Sequence, residues 1–426
     1  MATYREMSKQ ELEALLCDLQ KEYEGYKAKG LKLDLSRGKP DKAQLELSMP
    51  MLDVLSAADV LAGEDGTDAR NYGVLDGLPE AKKLMAQILE LAPEQVFVGG
   101  ASSLNLMHDC MGLGFLHGYP GGNGGWYKEG KVKFLCPAPG YDRHFSVTEH
   151  FGIELVSVPM TGEGPDMAEV ERLVADPAVK GIWCVPKYQN PLGLTFSDEV
   201  VRAFARLSPA AGDFRIFWDN AYNVHDLYPG EGDQLLNLMD ELKATGKEDM
   251  VLMFSSTSKI TFAGSGISAI GCSAANMAWV KKHFGFQIIG YDKVNMLRHV
   301  KFLPDIAAVK SHMVKHAQLL RPKFEAVRNT LEDNLGETGV ASWTNPRGGY
   351  FVSLDILEGC AVRTIALCKE AGVVMTGAGA PFPYGKDPED KNIRIAPSFA
   401  PLGEVKQAAA LLCLCAKIAC VEKLLG

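Results

Sequence analysis

Between residues 95 and 272 the chain alternates short apolar runs with stretches whose apolar positions recur at helical spacing. The apolar runs predict strands at Gln95–Val98, Lys133–Cys136, Glu154–Pro159, Gly181–Val185, Arg215–Trp218, Val251–Phe254 and Ile267–Cys272. The intervening periodicity predicts helices near 103–117, 141–151, 166–175, 197–207 and 274–284. Strands that are continuously apolar, separated by helices, imply a mostly parallel sheet covered on both faces. Ligands of such sheets gather at the carboxyl ends of the strands.

The flanking regions read differently. Residues 9–30 form an amphipathic pattern, 31–50 are irregular and turn-rich, and Asn71 to Pro79 is a loop punctuated by glycine. Pro79 opens a helix through about Leu91, since proline suits the first helical turn. A long helix is expected over 305–335. Beyond residue 338 come strand-like Gly349–Leu354, a helix near 362–371, strand-like Val373–Met375 and Asn392–Ala396, and a final helix from Gly403. The expected organisation is a large α/β domain over 46–305. A smaller α+β domain is expected from 1–45 together with 306–426.

Composition narrows the class. The chain has 426 residues, 47% apolar and 23% charged, which is ordinary for a globular protein large enough for two domains. A net charge of −9 disfavours a nucleic-acid surface. No apolar run approaches a membrane span, and the polar N-terminus does not read as a signal peptide. The ten cysteines are scattered with no CxxC pair, as expected of core thiols in a reducing cytoplasm. The nine histidines show no metal spacing. Gly121–Gly125 lacks the preceding strand that a phosphate-binding turn requires.

The chemistry collects just after the predicted strands. The first runs into Gly99-Gly-Ala-Ser-Ser103 and then a helix, whose backbone amides and Ser102 hydroxyl suit a phosphate. The next leads to Tyr141, and later ones to Tyr188-Gln-Asn190-Pro-Leu-Gly193 and Asp219-Asn-Ala-Tyr222. Val251–Phe254 leads through four hydroxyl residues to Lys259. A lysine amine can form a Schiff base with an aldehyde cofactor, and adjacent hydroxyls can hold that cofactor's phosphate. An aspartate can keep a pyridine nitrogen protonated, an amide and a phenol can bond a ring oxygen, and an aromatic ring can stack on the cofactor face. Each residue also has a plain structural reading. Asp219 could be a helix cap, Asn190-Pro191 a turn, and Tyr141 or Tyr222 core residues. The ordered set at successive strand ends favours a pyridoxal 5'-phosphate (PLP) site.

With these motifs the chain resembles the fold-type I PLP-dependent aminotransferases. The matching segments are Asn71-Tyr-Gly-x-x-x-Gly-Leu-Pro79, Tyr188–Gly193, Asp219–Tyr222, Ser256-Thr-Ser-Lys259 and Asn392-Ile-Arg-Ile-Ala-Pro397. The run around Lys259 looks most like the bacterial aspartate aminotransferase subgroup called type Ic. The resemblance implies a mostly parallel seven-stranded sheet with a smaller domain, and PLP as cofactor. It implies that Lys259 forms the imine and shuttles the proton, Asp219 pairs with the pyridinium, and Asn190 and Tyr222 bond the phenolic oxygen. Tyr141 stacks on the ring, while Gly100, Ala101, Ser102 and Ser256 surround the phosphate. Arg394 clamps the substrate α-carboxylate, and Gly38 lies in a segment that closes over the substrate. Tyr72 reaches the neighbouring subunit's phosphate, so a homodimer is expected.

The implied reaction is a ping-pong exchange between an L-amino acid, best aspartate, and 2-oxoglutarate. An aromatic or 2-aminoadipate aminotransferase is the alternative, and an effector-sensing regulator on the same fold a further one. A nicotinamide-dependent dehydrogenase would need GxGxxG at a strand end, which is missing. One departure stands out. Many relatives carry a phosphate-facing arginine seven or eight residues after the lysine, where this chain has Gly266 and Ile267. Arg37, Arg298, Lys301 and Arg347 are candidates for binding a distal carboxylate.

Overall fold

The computed structural model describes residues 3–426. Its twelve strands are β1 (Leu33–Asp34), β2 (Val96–Val98), β3 (Lys133–Ala138), β4 (Glu154–Pro159), β5 (Val179–Cys184), β6 (Arg215–Asp219), β7 (Val251–Ser256), β8 (Ser268–Cys272), β9 (Ala341–Trp343), β10 (Val352–Ile356), β11 (Val373–Val374) and β12 (Asn392–Ile395). Seven form the central sheet in the order β2-β8-β7-β6-β5-β3-β4. All neighbours are parallel except β8, which runs antiparallel to both β2 and β7. The fold is therefore α/β with a mostly parallel seven-stranded sheet.

Successive residues of a strand point to opposite faces, and here they enter two different cores. Ile182, Ile216 and Trp218 belong to one cluster, while Trp183, Phe217 and Phe254 belong to the other. Strands β5, β6 and β8 are buried throughout, which is why they read as unbroken apolar runs. Edge strand β4 instead mixes exposed positions with two buried ones, Leu155 and Val158.

A third core unites the two ends of the chain. It joins Leu12, Leu19 and Tyr23 of the helix Lys9–Lys27 to the long helix Ile306–Leu335 and the final helix Leu402–Leu425. Strands β12, β10 and β9 form an antiparallel sheet, and β1 pairs in parallel with β11. The N-terminal segment thus packs with residues beyond 306, although most of the chain separates them.

Several boundaries differ from the sequence expectation. The strand expected at Gly349–Leu354 begins at Val352, because Gly348 and Gly349 form a turn packed on the Tyr188 ring. The helix from Pro79 ends at Leu89, where Glu90 takes a left-handed cap with φ of 56°. The helices Lys42–Glu46, Leu238–Ala244 and Lys293–Phe302 were not anticipated. The first two are too short to display a period, and the third shows only weak amphipathicity. Among the described residues no helix is long and apolar enough to cross a membrane, and no cluster of His, Cys, Asp or Glu could hold a metal.

Candidate active site

The predicted residues meet where β3, β5, β6 and β7 end. A cavity of about 120 Å³ is lined by Ser102, Tyr141, Asn190, Asp219, Tyr222, Ser256 and Lys259, among others. The sheet explains the convergence. Asp219 is the last residue of β6, Lys259 lies in the turn after β7, and Ser102 stands just before the helix Ser103–His117 that follows β2.

Asp219 is buried, and His144 Nε2 donates to its Oδ2 at 3.1 Å. His144 is itself held by stacking on Trp183, with ring centroids 4.3 Å apart and an interplanar angle of 10°. The other oxygen, Asp219 Oδ1, is buried without a partner. A buried carboxylate oxygen is costly to leave unsatisfied. An N–H donor arriving in the cavity, such as a protonated pyridine, would satisfy it. His144 escaped sequence reasoning. Its only signal is its place three residues after Tyr141, on the same face of one helix.

The Lys259 amine lies 4.6 Å from the Tyr222 ring centroid, with no hydrogen-bond or ion-pair partner among the described residues. Burial pushes the Tyr141 phenol up to about 12, against the opposing charge of Lys259. Burial raises the Tyr222 phenol as well. Both phenols are therefore neutral donors at physiological pH.

Four buried histidines surround that lysine's turn, and two of them bond its backbone. His225 Nε2 donates to Lys259 O at 3.3 Å, and His312 Nε2 to Ile260 O at 2.9 Å. Gln44 Oε1 accepts from Asp41 N–H, so its amide nitrogen faces His316 Nδ1 at 3.1 Å and the Tyr350 hydroxyl at 3.0 Å. His316 Nδ1 is thus the acceptor, and its Nε2 faces His312 Nε2 at 3.2 Å. His299 Nδ1 donates to Asn295 O at 2.8 Å, leaving Nε2 to accept from Thr261 Oγ1 at 3.0 Å. Burial holds all four imidazoles below their usual range, His299 and His316 at about 4. They are neutral, as these bonds require.

Ser102, Ser256 and Ser258 line one part of the cavity, while the predicted Gly100 and Ala101 lie next to them in sequence or contact but do not line it. Gly100 has φ of 57°, and Ser102 makes no capping bond, so its hydroxyl is free. Ser256 Oγ donates to Ser258 Oγ at 3.2 Å, and Ser258 Oγ to Ala101 O at 3.0 Å. A Cβ at Gly266 would lie 3.0 Å from Ser258 N and from Thr257 Oγ1, and 3.2 Å from Ala101 O. Ile267 is 2% exposed within the core. The turn where the family resemblance leads one to expect an arginine is tightly packed here.

Arg394, on β12, does not line the cavity itself but contacts Asn190, which does. Its Nη1 donates to Asp142 Oδ1 at 2.8 Å and to Asn190 Oδ1 at 3.3 Å, and its guanidinium lies 5.1 Å from the Phe351 ring centroid. Gly38 packs directly on that same ring, leaving no space for a side chain. Gly38 is therefore behind the arginine rather than on the cavity wall. Tyr72 is 82% exposed and outside its own chain's cavity. None of the four distal-carboxylate candidates lines the cavity. Arg37 bonds Asp34, Arg298 bonds Asn295, Lys301 bonds Asp59 and Arg347 bonds Glu231.

The wider likeness agrees with this site. Residues 7–426 match the family model described as aspartate amino-transferase. A putative aminotransferase of Mycolicibacterium smegmatis is 51% identical over 96% of this chain and 95% of its own length. An aspartate aminotransferase of Corynebacterium glutamicum is 45% identical over 95% of this chain and 93% of its own. The crystal structure of an aspartate transaminase from C. glutamicum superposes with a TM-score of 0.97 at 42% identity, covering 99% of each chain. The α-aminoadipate aminotransferase LysN of Thermus thermophilus, complexed with N-(5'-phosphopyridoxyl)-L-leucine, shares the fold at 17% identity and a TM-score of 0.73 over 91% of this chain and 92% of its own. The chain belongs to the aspartate aminotransferase family and is a PLP-dependent transaminase of fold type I.

Proposed function

We propose that the protein exchanges an amino group between L-aspartate and 2-oxoglutarate in a ping-pong reaction. The observation that carries the reading is one cavity holding the unpartnered amine of Lys259 and the unpartnered Oδ1 of Asp219. The name and near-full-length similarity of the C. glutamicum relative support aspartate as the donor.

PLP, when bound, supplies an electron sink for the electrons released at the substrate Cα. The chain's own residues do the rest. Lys259 Nζ would hold the cofactor's aldehyde carbon at rest and, once the substrate amine had taken its place there, would be free to take the Cα proton. Asp219 Oδ1 would accept from the ring nitrogen, with His144 fixing the carboxylate. Asn190 and the neutral Tyr222 phenol would donate to the ring oxygen, and Tyr141 would cover one ring face. The amides of Gly100 and Ala101, with the hydroxyls of Ser102 and Ser256, would hold the phosphate. Arg394 pairs with the substrate α-carboxylate through its planar fork.

The functional unit in this reading is a homodimer in the cytoplasm. Tyr72, Phe286 and Ile289 are 82%, 87% and 62% exposed, and the Gly73 and Gly290 backbones touch between them. An apolar patch of this kind favours a protein partner, and a second copy would bring Tyr72 toward the neighbouring phosphate. The lobes divide near residues 46 and 305, with Gly38 and Arg394 on the smaller lobe.

Single-turnover reaction of the PLP form with a panel of amino acids tests the substrate. Aspartate and glutamate should react fastest. Equal or faster reaction of phenylalanine or 2-aminoadipate would overturn the assignment. Lys259→Ala should abolish borohydride fixation of the cofactor to the protein and lower turnover at least about a thousandfold.

A further inference from the structure

Arg394 is 7% exposed, and a buried guanidinium without a counter-charge is strongly disfavoured. Its single ion pair among the described residues is with Asp142, 252 positions away in sequence. Asp142 opens the helix Asp142–His150, directly after Tyr141. Both of the close oxygen contacts of Arg394 fall on Nη1, and Nε has only a long 3.4 Å approach to Thr376 Oγ1. Nη2 has no partner among the described residues. The fork that would grip a substrate carboxylate is thus half engaged by a carboxylate of the protein itself.

We infer that Asp142 is a resident competitor for Arg394, displaced when a substrate carboxylate arrives, and so a specificity-determining residue of the site. The inference rests on the reading of Arg394 as the α-carboxylate clamp. Two carboxylates cannot share one buried guanidinium without repulsion, so one must leave. Asp142 is equipped to be the one. Its side chain is 33% exposed, against 8% for Arg394, so it can return to water. It also sits in the first turn of a helix, where the exposed N–H groups favour a negative charge wherever the side chain turns. The free enzyme then never holds a naked buried cation. A carboxylate that cannot form two good hydrogen bonds gains too little to expel Asp142, so small anions and poorly oriented acids are rejected.

The test uses the PLP-loaded enzyme with succinate, a dicarboxylate lacking the amino group, and reads its dissociation constant by calorimetry. Asp142→Asn keeps the size but removes the charge. Succinate should then bind about three- to tenfold more tightly, and KM for aspartate should fall without a matching rise in kcat. Unchanged or weaker succinate binding in Asp142→Asn would overturn the inference, because it would make Asp142 a permanent support of Arg394. Asp142→Ser, which retains a helix-capping oxygen, repeats the measurement should the asparagine variant fold poorly. Arg394→Ala separates the two readings. Loss of succinate binding there, with tightening in Asp142→Asn, supports both. Wild-type affinity in Arg394→Ala would instead remove the clamp assignment, and the inference with it.

Discussion

His144 gives one hydrogen bond, at 3.1 Å, to Asp219 Oδ2 and leaves Oδ1 without a partner. The carboxylate is oriented on one side and open on the other. Removing the imidazole should both free the carboxylate to rotate and leave a second buried oxygen unsatisfied, at a cost of about 1–3 kcal/mol. His144→Phe is expected to weaken PLP binding about tenfold or more and to lower kcat, while preserving the stack on Trp183. Cofactor fluorescence titration checks this. A PLP affinity equal to wild type would reject the orienting role.

The four buried histidines make stability depend on pH. Burial lowers their folded-state values, to about 4 for His299 and His316, whereas an unfolded histidine titrates near about 6.5. Between these values the unfolded chain binds more protons than the folded one, so stability falls as pH falls. The contribution is fully present above about 6.5 and is lost progressively toward about 4. Melting temperature should therefore drop steeply over that window. His316→Gln should flatten the slope, although it costs stability at neutral pH. A melting temperature constant from neutral pH to about 4.5 would contradict the neutral-imidazole assignment.

Gly266 tests the absence of an arginine at the phosphate end. A methyl group there would press on the Ser258 amide and the Ala101 carbonyl, both backbone and unable to swing aside. Gly266→Ala should cost about 1–3 kcal/mol of stability and raise the PLP dissociation constant. Gly266→Arg should be worse still rather than restoring a phosphate contact. Tighter PLP binding in the arginine variant would show that the cradle has room.

The exposed patch beside Tyr72 predicts the assembly. Phe286→Asp or Ile289→Asp should split the dimer at micromolar concentration, as seen by sedimentation. Tyr72→Phe should keep the dimer but weaken PLP. A wild-type sedimentation coefficient in both aspartate variants would place the interface elsewhere.

What could be read from sequence follows from how local each signal is. The central strands and the residues at their ends are legible because a strand buried on both faces must be a continuous apolar run. Lys259, Asp219 and Ser102 each follow such a run directly. His144 was not legible, since its role depends on Trp183 and Asp219, which belong to other strands. The contacts of Arg394 with Asp142 and of Gln44 with Tyr350 join distant segments, and no periodicity encodes them. Strands β1 and β11, of two residues each, exist only because each pairs with the other. The missing arginine was visible as a departure, but its reason, the crowding at Gly266, needed the packing.

The grip on Ile260 O has a consequence for biosynthesis. That carbonyl lies early in the chain relative to His312, which donates to it, and to His316, which faces His312 and is bonded by Gln44, itself bonded to Tyr350. A ribosome adds roughly 5–20 residues per second. For several seconds after Lys259 emerges, its turn therefore has His225 but lacks His312 and His316. The N-terminal helix must likewise wait for Leu402–Leu425, and β1 for β11. A nascent chain can assemble its central sheet before His312, His316 and Tyr350 have been made, so the turn that carries Lys259 is braced after the sheet rather than together with it.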